Sequence, residues 1–399
     1  MLPTVAAVAG RLWVVIPVCV GALALPCLQT AVAIAGPFDG RGMWVWQVNR
    51  SDGGNPTAIA KRARANGIKT LFVKSGDGVN YWSQFSRRLV YFIHRYGIHI
   101  CAWQYVYGNN PVTEARVAAH AIGNGADCFV IDAEVEYEGR YAAAQTYIDV
   151  LRSAAGRRYP IGLASFPYVD YHPAFPYSVF LGHGGATFNL PQMYWRDIGT
   201  NVASVYRHTY MTNGIYRRPI RPLGQTDTTS TREISLFRGL SVAYHAVGLS
   251  WWDYAWTSAN GYWPAVSGLY DSVSSIPSPG VPILRYGSKG DMVLWMQELL
   301  RSAIPSQRRT GIFASQTLRN LQRFQIRHGI PPTGQTGPLT WSALLRLPVS
   351  GVRWATDARS AQAHPLRSST APQSANLPAR DYETHNQHAR TDAAARPDR

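Results

Sequence analysis

The chain has 399 residues, more than one ordinary core accommodates, which predicts two or three folding units. Hydrophobic residues make up 46% and aromatic residues 12%, with 13 Trp and 22 Tyr, so a disordered polymer is excluded for most of the length. A formal charge of +16 attracts polyanions over long range, which points to nucleic acid, an anionic cell wall or a membrane surface as partner.

In chain order, residues 1–35 come first. Arg11 precedes an apolar run over 12–25, and small residues follow at Ala31, Ala33 and Ala35. That order is the one a secretory signal requires, and the run is short for a membrane span; an uncleaved anchor is the alternative reading. Pro26 before Cys27 does not suit a lipid acylation site. Export favours a wall partner over nucleic acid, and the basic residues are scattered rather than gathered on a groove-reading helix. A secreted, wall-associated monomer is expected. With Cys19 and Cys27 inside the signal, Cys101 and Cys128 remain, either as one disulfide or as two buried thiols.

Over 36–271, eight β-rich apolar runs alternate with amphipathic stretches: 42–48, 68–75, 97–106, 127–136, 160–166, 186–195, 219–225 and 248–254. Helices are predicted between them, for example over 56–66 and 112–124, ended by Gly67 and Gly125. Eight such units fit an α/β fold of the (β/α)8 TIM-barrel kind, which takes about 250 residues. A doubly wound open sheet competes, but no G-x-G-x-x-G turn follows the first strand. Residues 272–282 (SVSSIPSPGVP) read as a semi-rigid spacer. Over 283–348 three short amphipathic helices are predicted: Val293, Met296, Leu299 and Leu300 on the first, Leu318, Leu321 and Phe324 on the second, and Trp341, Leu344 and Leu345 after Pro338 on the third. Gly311 and Thr317 are spaced like Gly334 and Thr340, an internal echo. Residues 349–399 are rich in Ala, Arg, Ser, Pro and His, and disorder is expected there.

The string Leu284-Arg285-Tyr286-Gly287-Ser288-Lys289-Gly290, followed by Val293, Gln297, Phe324-Gln325, Gly329-Ile330, Gly334, Gly337 and Thr340-Trp341, resembles the peptidoglycan-binding domain type 1 family. The resemblance implies a small three-helix peptidoglycan-binding domain after the barrel, with peptidoglycan as partner. Thr310 and Thr333 stand where that family usually has Asp, and Ala314 replaces a second glycine. A threonine hydroxyl can still accept a turn N–H, more weakly.

Chemistry in a (β/α)8 barrel is placed at the C-terminal ends of the strands. The fourth predicted strand ends Ile131-Asp132-Ala133-Glu134, and a side-chain period of two points Asp132 and Glu134 the same way out of an apolar run. Two like charges so close raise one pKa, which keeps a carboxylic acid protonated as a general acid. The competing reading is an ion-pair ring capped by Lys74 or Arg196. The D-x-E pattern resembles the TIM-barrel muramidases of glycoside hydrolase family 25, and more loosely the chitinase-like barrels. That likeness implies Glu134 as proton donor to the glycosidic oxygen and Asp132 as the group orienting the N-acetyl group or water. It also implies Asp253, on the eighth strand, as a third acid. Gln192 and Tyr194 would line the site, with Trp44, Trp46, Trp195 and Trp251 as stacking surfaces. Those lysozymes open with an acid on strand one, where this chain has Trp46-Gln47; Gln47 can hold a hydroxyl but cannot act as a base. No H-E-x-x-H, G-x-S-x-G or C-x-x-C occurs, and neither metal nor cofactor is expected. A glycoside hydrolase on N-acetylated glycan is the reading, with a non-catalytic wall-binding protein as the alternative.

Overall fold

The computed structural model describes residues 36–354. The proposed signal lies outside them, as does the tail beyond 354. Strands β1 (Gly40–Val45), β2 (Ile68–Asp77), β4 (His99–Val106), β5 (Cys128–Ala133), β6 (Ile161–Ser165), β7 (Phe188–Pro191), β8 (Leu223–Gln225) and β9 (Gly248–Trp252) pair in parallel, in the order β7-β6-β5-β4-β2-β1-β9-β8. The two-residue β3 (Asn80–Tyr81) folds back antiparallel on β2. Parallel bridges from Asn189 to Ile220 and from Gln192 to Leu223 join the two ends, so the sheet closes into the eight-stranded barrel and the open-sheet alternative is excluded.

Helices α1 (Pro56–Ala65), α2 (Arg87–His94), α3 (Pro111–Gly123), α4 (Tyr141–Ala155), α5 (Tyr177–Phe180), α6 (Val202–Asn213), α7 (Thr231–Ala243), α8 (Tyr254–Ala259) and α9 (Trp263–Ser267) cover the barrel. Local chemistry sets their ends. Asn55 and Asn110 accept N–H groups from the first turns of α1 and α3, each with proline at the first helical position, and Ser230 with Glu233 forms a reciprocal cap on α7. Gly67 (φ 64°) and Gly125 (φ 98°) supply the left-handed turns that end α1 and α3.

The period of two sorts each strand's side chains into two cores. Phe38, Trp44, Phe72, Cys101, Trp103, Cys128, Val130, Ala164, Leu190, Tyr194 and Leu223 fill the barrel interior, while alternate residues such as Ile100, Ala102, Phe129 and Ile131 pack under the helices. Cys101 and Cys128, partners in the β4–β5 register, form a disulfide inside the barrel.

The C-terminal module has the three expected helices, α10 (Asp291–Ala303), α11 (Ser315–Arg327) and α12 (Pro338–Leu344). Its internal echo has a physical basis, because a buried glutamine pins each turn. Gln297 Oε1 accepts N–H groups of Thr310 and Gly311 while its amide donates to Thr317 Oγ1. Gln325 does the same with Gly334 and Thr340. Thr310 and Thr333 accept from the N–H groups of Ile312 and Gln335, at 3.2 and 3.3 Å, so threonine closes the turns where aspartate is usual.

Residues 272–282 form neither helix nor strand, yet the module they introduce is docked on the barrel. The fifth barrel helix is a single turn, and α10 packs over it. Asp291 caps this contact: Oδ2 accepts from Ser178 N at 2.9 Å and Tyr216 OH at 2.7 Å, and Oδ1 accepts from Ser178 Oγ at 2.7 Å. Trp295 Nε1 donates to Ile215 O at 2.7 Å. Gly290 (φ 109°) meets Pro173 so closely that a Cβ would lie 2.6 Å from Pro173 Cβ. Disorder was expected from residue 349, but 349–354 run back over the barrel as a strap. Trp354 is 5% exposed, its ring 4.6 Å from that of Tyr141. Among the described residues no helix is long and apolar enough to cross a membrane.

Candidate functional site

Strand β5 is apolar and wholly buried up to Ile131, with Cys128 and Val130 pointing inward. Asp132 continues that parity, 7% exposed at the C-terminal end of the barrel, between Tyr105 of β4 and Ala164 of β6 in register. Glu134 is the first residue past the strand and is half-buried. Gln192, one residue beyond β7, spans the two: its Nε2 donates to Asp132 Oδ1 at 3.0 Å and to Glu134 Oε1 at 3.0 Å. One amide nitrogen therefore orients both carboxylates.

Around them lies a ring of further polar groups. Tyr105 OH donates to Glu136 Oε2 at 2.7 Å. Lys74 Nζ bonds Asp77 Oδ2 at 2.7 Å, under the rings of Trp82 and Trp103 at 4.5 and 5.0 Å, and Tyr107 OH donates to the other Asp77 oxygen at 2.8 Å. Arg196 pairs with Glu233 at 2.9 Å. Both cations named in the ion-pair reading are thus bonded to other acids. Burial pushes the Asp132 carboxyl well above the usual range, the neighbouring Glu134 charge pushes it further, and Lys74 only partly offsets this. Burial also raises the phenols of Tyr105 and Tyr194, with the carboxylates adding to the effect. Burial and the neighbouring charge thus both favour the neutral form of the Asp132 carboxyl.

The floor beneath the acids is aromatic. Trp252 meets Trp103 edge-on at 5.6 Å and Trp44 at 6.0 Å, and Trp44 Nε1 donates to Ser250 Oγ at 3.0 Å. Trp46 and Tyr194 pack on this same inner cluster.

Of the residues selected from the sequence, Asp132, Glu134 and Gln192 are brought together, with Tyr194, Trp44 and Trp46 near them in the barrel interior. Gln47 leads into the turn Val48–Arg50, where its carbonyl accepts from Arg50 N at 3.2 Å, and it makes no bond to the acids among the described residues. Asp253 is 3% exposed and caps α8, Oδ1 accepting from Trp256 N at 3.0 Å. Trp195 and Trp251 cannot serve as stacking surfaces. Both are 0% exposed, on the helix side of the strands against Phe237, because their parity turns them away from the interior. Trp252 holds the place expected of Trp251. Asp77, Tyr105, Tyr107, Trp103 and Trp252 were not selected; carrying the inward parity of Cys101 along β4 would have reached Trp103 and Tyr105. No group of His, Cys, Asp and Glu suited to hold a metal ion occurs among the described residues.

Comparison with known proteins gives one family match: residues 289–344 fit the family described as "Putative peptidoglycan binding domain". No curated protein matches the chain. Among solved structures, the endo-beta-1,4-mannanase from Thermotoga petrophila is similar at 8% identity and TM-score 0.43, over 54% of this chain and 68% of that one. The catalytic domain of a hyperthermophilic chitinase from Pyrococcus furiosus is similar at 10% identity and TM-score 0.43, over 59% of this chain and 99% of that one. The catalytic domain of endolysin ply40 from bacteriophage P40 of Listeria monocytogenes is similar at 14% identity and TM-score 0.27, over 33% and 66%.

Proposed function

We propose that this chain is an exported, wall-bound glycoside hydrolase that cleaves the N-acetylated glycan of peptidoglycan, in the manner of the family 25 muramidases. The observation that carries the reading is the Asp132–Gln192–Glu134 bridge at the open end of the barrel, where two carboxyl groups share one amide donor. Glu134, the more exposed of the two, touches the glycosidic oxygen and, in its protonated form, gives its own proton to it. Asp132, buried beneath and joined to Glu134 through Gln192, orients the N-acetyl group or the attacking water. Tyr194 and the rings of Trp46 and Trp252 offer faces for sugar, and the peptidoglycan-binding region at 289–344 holds the barrel at its substrate.

The test is the chemical nature of the products released from purified peptidoglycan. Mass spectrometry after borohydride reduction is expected to show muropeptides with new reduced sugar ends and intact peptides. Release of peptides alone would discard the glycosidase assignment.

A second reading rests on Gln47: strand one supplies no carboxylate, and Gln47 makes no bond to the pair. In that reading the barrel is a sugar-holding scaffold and the chain a wall-binding protein. It requires sedimentation with insoluble peptidoglycan that depends on residues 283–348, with no new reducing ends.

A further inference from the structure

A cavity of about 710 Å³ opens on the flank of the barrel. Its walls come from α4, α5, α10, the turns that lead into β6, β7 and β8, and the strap 349–354. Those turns lie where the strands begin, whereas Asp132 and Glu134 lie where they end, so the cavity is separate from the acid site. Its volume falls in the range of small-ligand pockets, roughly 300 to 1,000 Å³.

Its charge is one-sided. Arg152, Arg157, Arg218 and Arg353 line it against two acids, Asp149 and Glu298. Asp149 is matched by Arg353 at 3.5 Å. Glu298 is buried, and burial together with the charge of Asp291 pushes its carboxyl well above the usual range, which favours its neutral form. Among the described residues Arg152 donates only to carbonyls, those of Gly184, Gly156, Tyr159 and Gly185. Arg218 donates to the carbonyls of Leu181 and Gly182, with Nη1 unused among the described residues. Burial depresses both guanidinium pKa values, and that of Arg152 is lowered further by the charge of Arg218. Arg157 is exposed at the cavity wall, with no side-chain bond among the described residues. Half-buried guanidinium groups that meet only carbonyls keep a full positive charge poorly compensated.

We propose that this flank cavity is an oxyanion site, in which Arg157 and Arg218 grip phosphate or carboxylate groups of an anionic wall polymer. A planar guanidinium matches either group with two parallel hydrogen bonds, and the remaining volume admits several such groups along a chain. The site is independent of the barrel's chemistry and stands or falls without it.

The test uses the intact protein with two probes, pyrophosphate and citrate, in isothermal titration calorimetry at low salt. At least one probe is expected to bind at one site, with affinity falling about tenfold in Arg157→Gln and again in Arg218→Gln, the loss expected for one charged hydrogen-bonding partner. Arg157 holds nothing in the fold, so its variant reports on binding even if Arg218→Gln loosens the 181–182 turn. Arg95→Gln, at an exposed arginine just past the end of α2, controls for overall charge and should bind as wild type does. Absence of binding by both probes, unchanged affinity in Arg157→Gln, or an equal loss in Arg95→Gln overturns the proposal. Retention on wall fragments identifies the source. A wild-type advantage over Arg157→Gln that vanishes after phosphodiester polymers are stripped marks phosphate, and one that vanishes after carboxylates are amidated marks carboxylate. No advantage on untreated wall overturns the assignment to a wall polymer.

Discussion

Asp291 offers a prediction whose size follows from the structure. Its carboxyl is fully buried where α10 meets α5, bonded to Ser178 and Tyr216 and flanked by Tyr141 and Glu298. Burial pushes its pKa up to about 6, from an ordinary value of 3.8, although the hydroxyl and amide donors pull the other way. Below that ordinary value the group is neutral in folded and unfolded chains alike, and its contribution is at its most favourable. As pH rises through the interval the unfolded chain ionises first and binds fewer protons, so stability falls. Above the folded pKa both states are ionised and the loss is constant. About two pKa units correspond to about 3 kcal/mol. Asp291→Asn removes the titration and keeps one acceptor oxygen. Urea unfolding at pH 4, 5, 6 and 7 should therefore show wild type losing about 2.5 kcal/mol relative to the variant across the series, with most of the change between pH 4 and 6. A constant offset between the two proteins would refute burial as the controlling term and with it the docked position of the module.

Three further outcomes are expected. Gln192→Leu removes the donor shared by Asp132 and Glu134, so ionised dyad forms lose a bond worth about 1.5 to 3 kcal/mol; the acidic limb of the pH–rate profile should move to higher pH and the maximal rate fall by about tenfold or more. Replacing both Cys101 and Cys128 by Ala opens a loop spanning 27 residues in sequence, for which chain entropy predicts a loss of about 3.5 kcal/mol, measurable by urea denaturation and reproduced in wild type by reductant. Truncation after Pro348 removes the buried Trp354 and should cost about 3 kcal/mol in urea denaturation.

The barrel was legible because eight apolar runs alternate with helical stretches, and each proline or asparagine at a helix start acts locally. The acid pair was legible because strand parity carries from Cys128 to Glu134. Parity also explains the misplacement in the eighth strand: Trp251-Trp252 offers two rings at adjacent positions, and only the inward course of Ser250 distinguishes them. The pairing of Cys101 with Cys128 stayed open because two inward cysteines on core strands look alike whether or not they are neighbours; the register decides it. Module docking was missed although a sign of it was present. Leu294 and Trp295 stand on α10 beside Val293, Met296, Leu299 and Leu300, and all six are buried. A helix apolar on every side has a second surface to cover, here the barrel wall exposed by the one-turn α5. Trp354 gave a similar hint in a segment whose composition otherwise predicted disorder.

The central claim is that Glu134 donates a proton to a glycosidic bond of the wall. Its most direct measurement is the rate of new reducing ends from purified peptidoglycan, for wild type and for Glu134→Gln shown to unfold at the same urea concentration. Wild type should release reducing ends and the variant should be slower by about a hundredfold or more. Equal release from the two proteins, or none from either, would contradict the account.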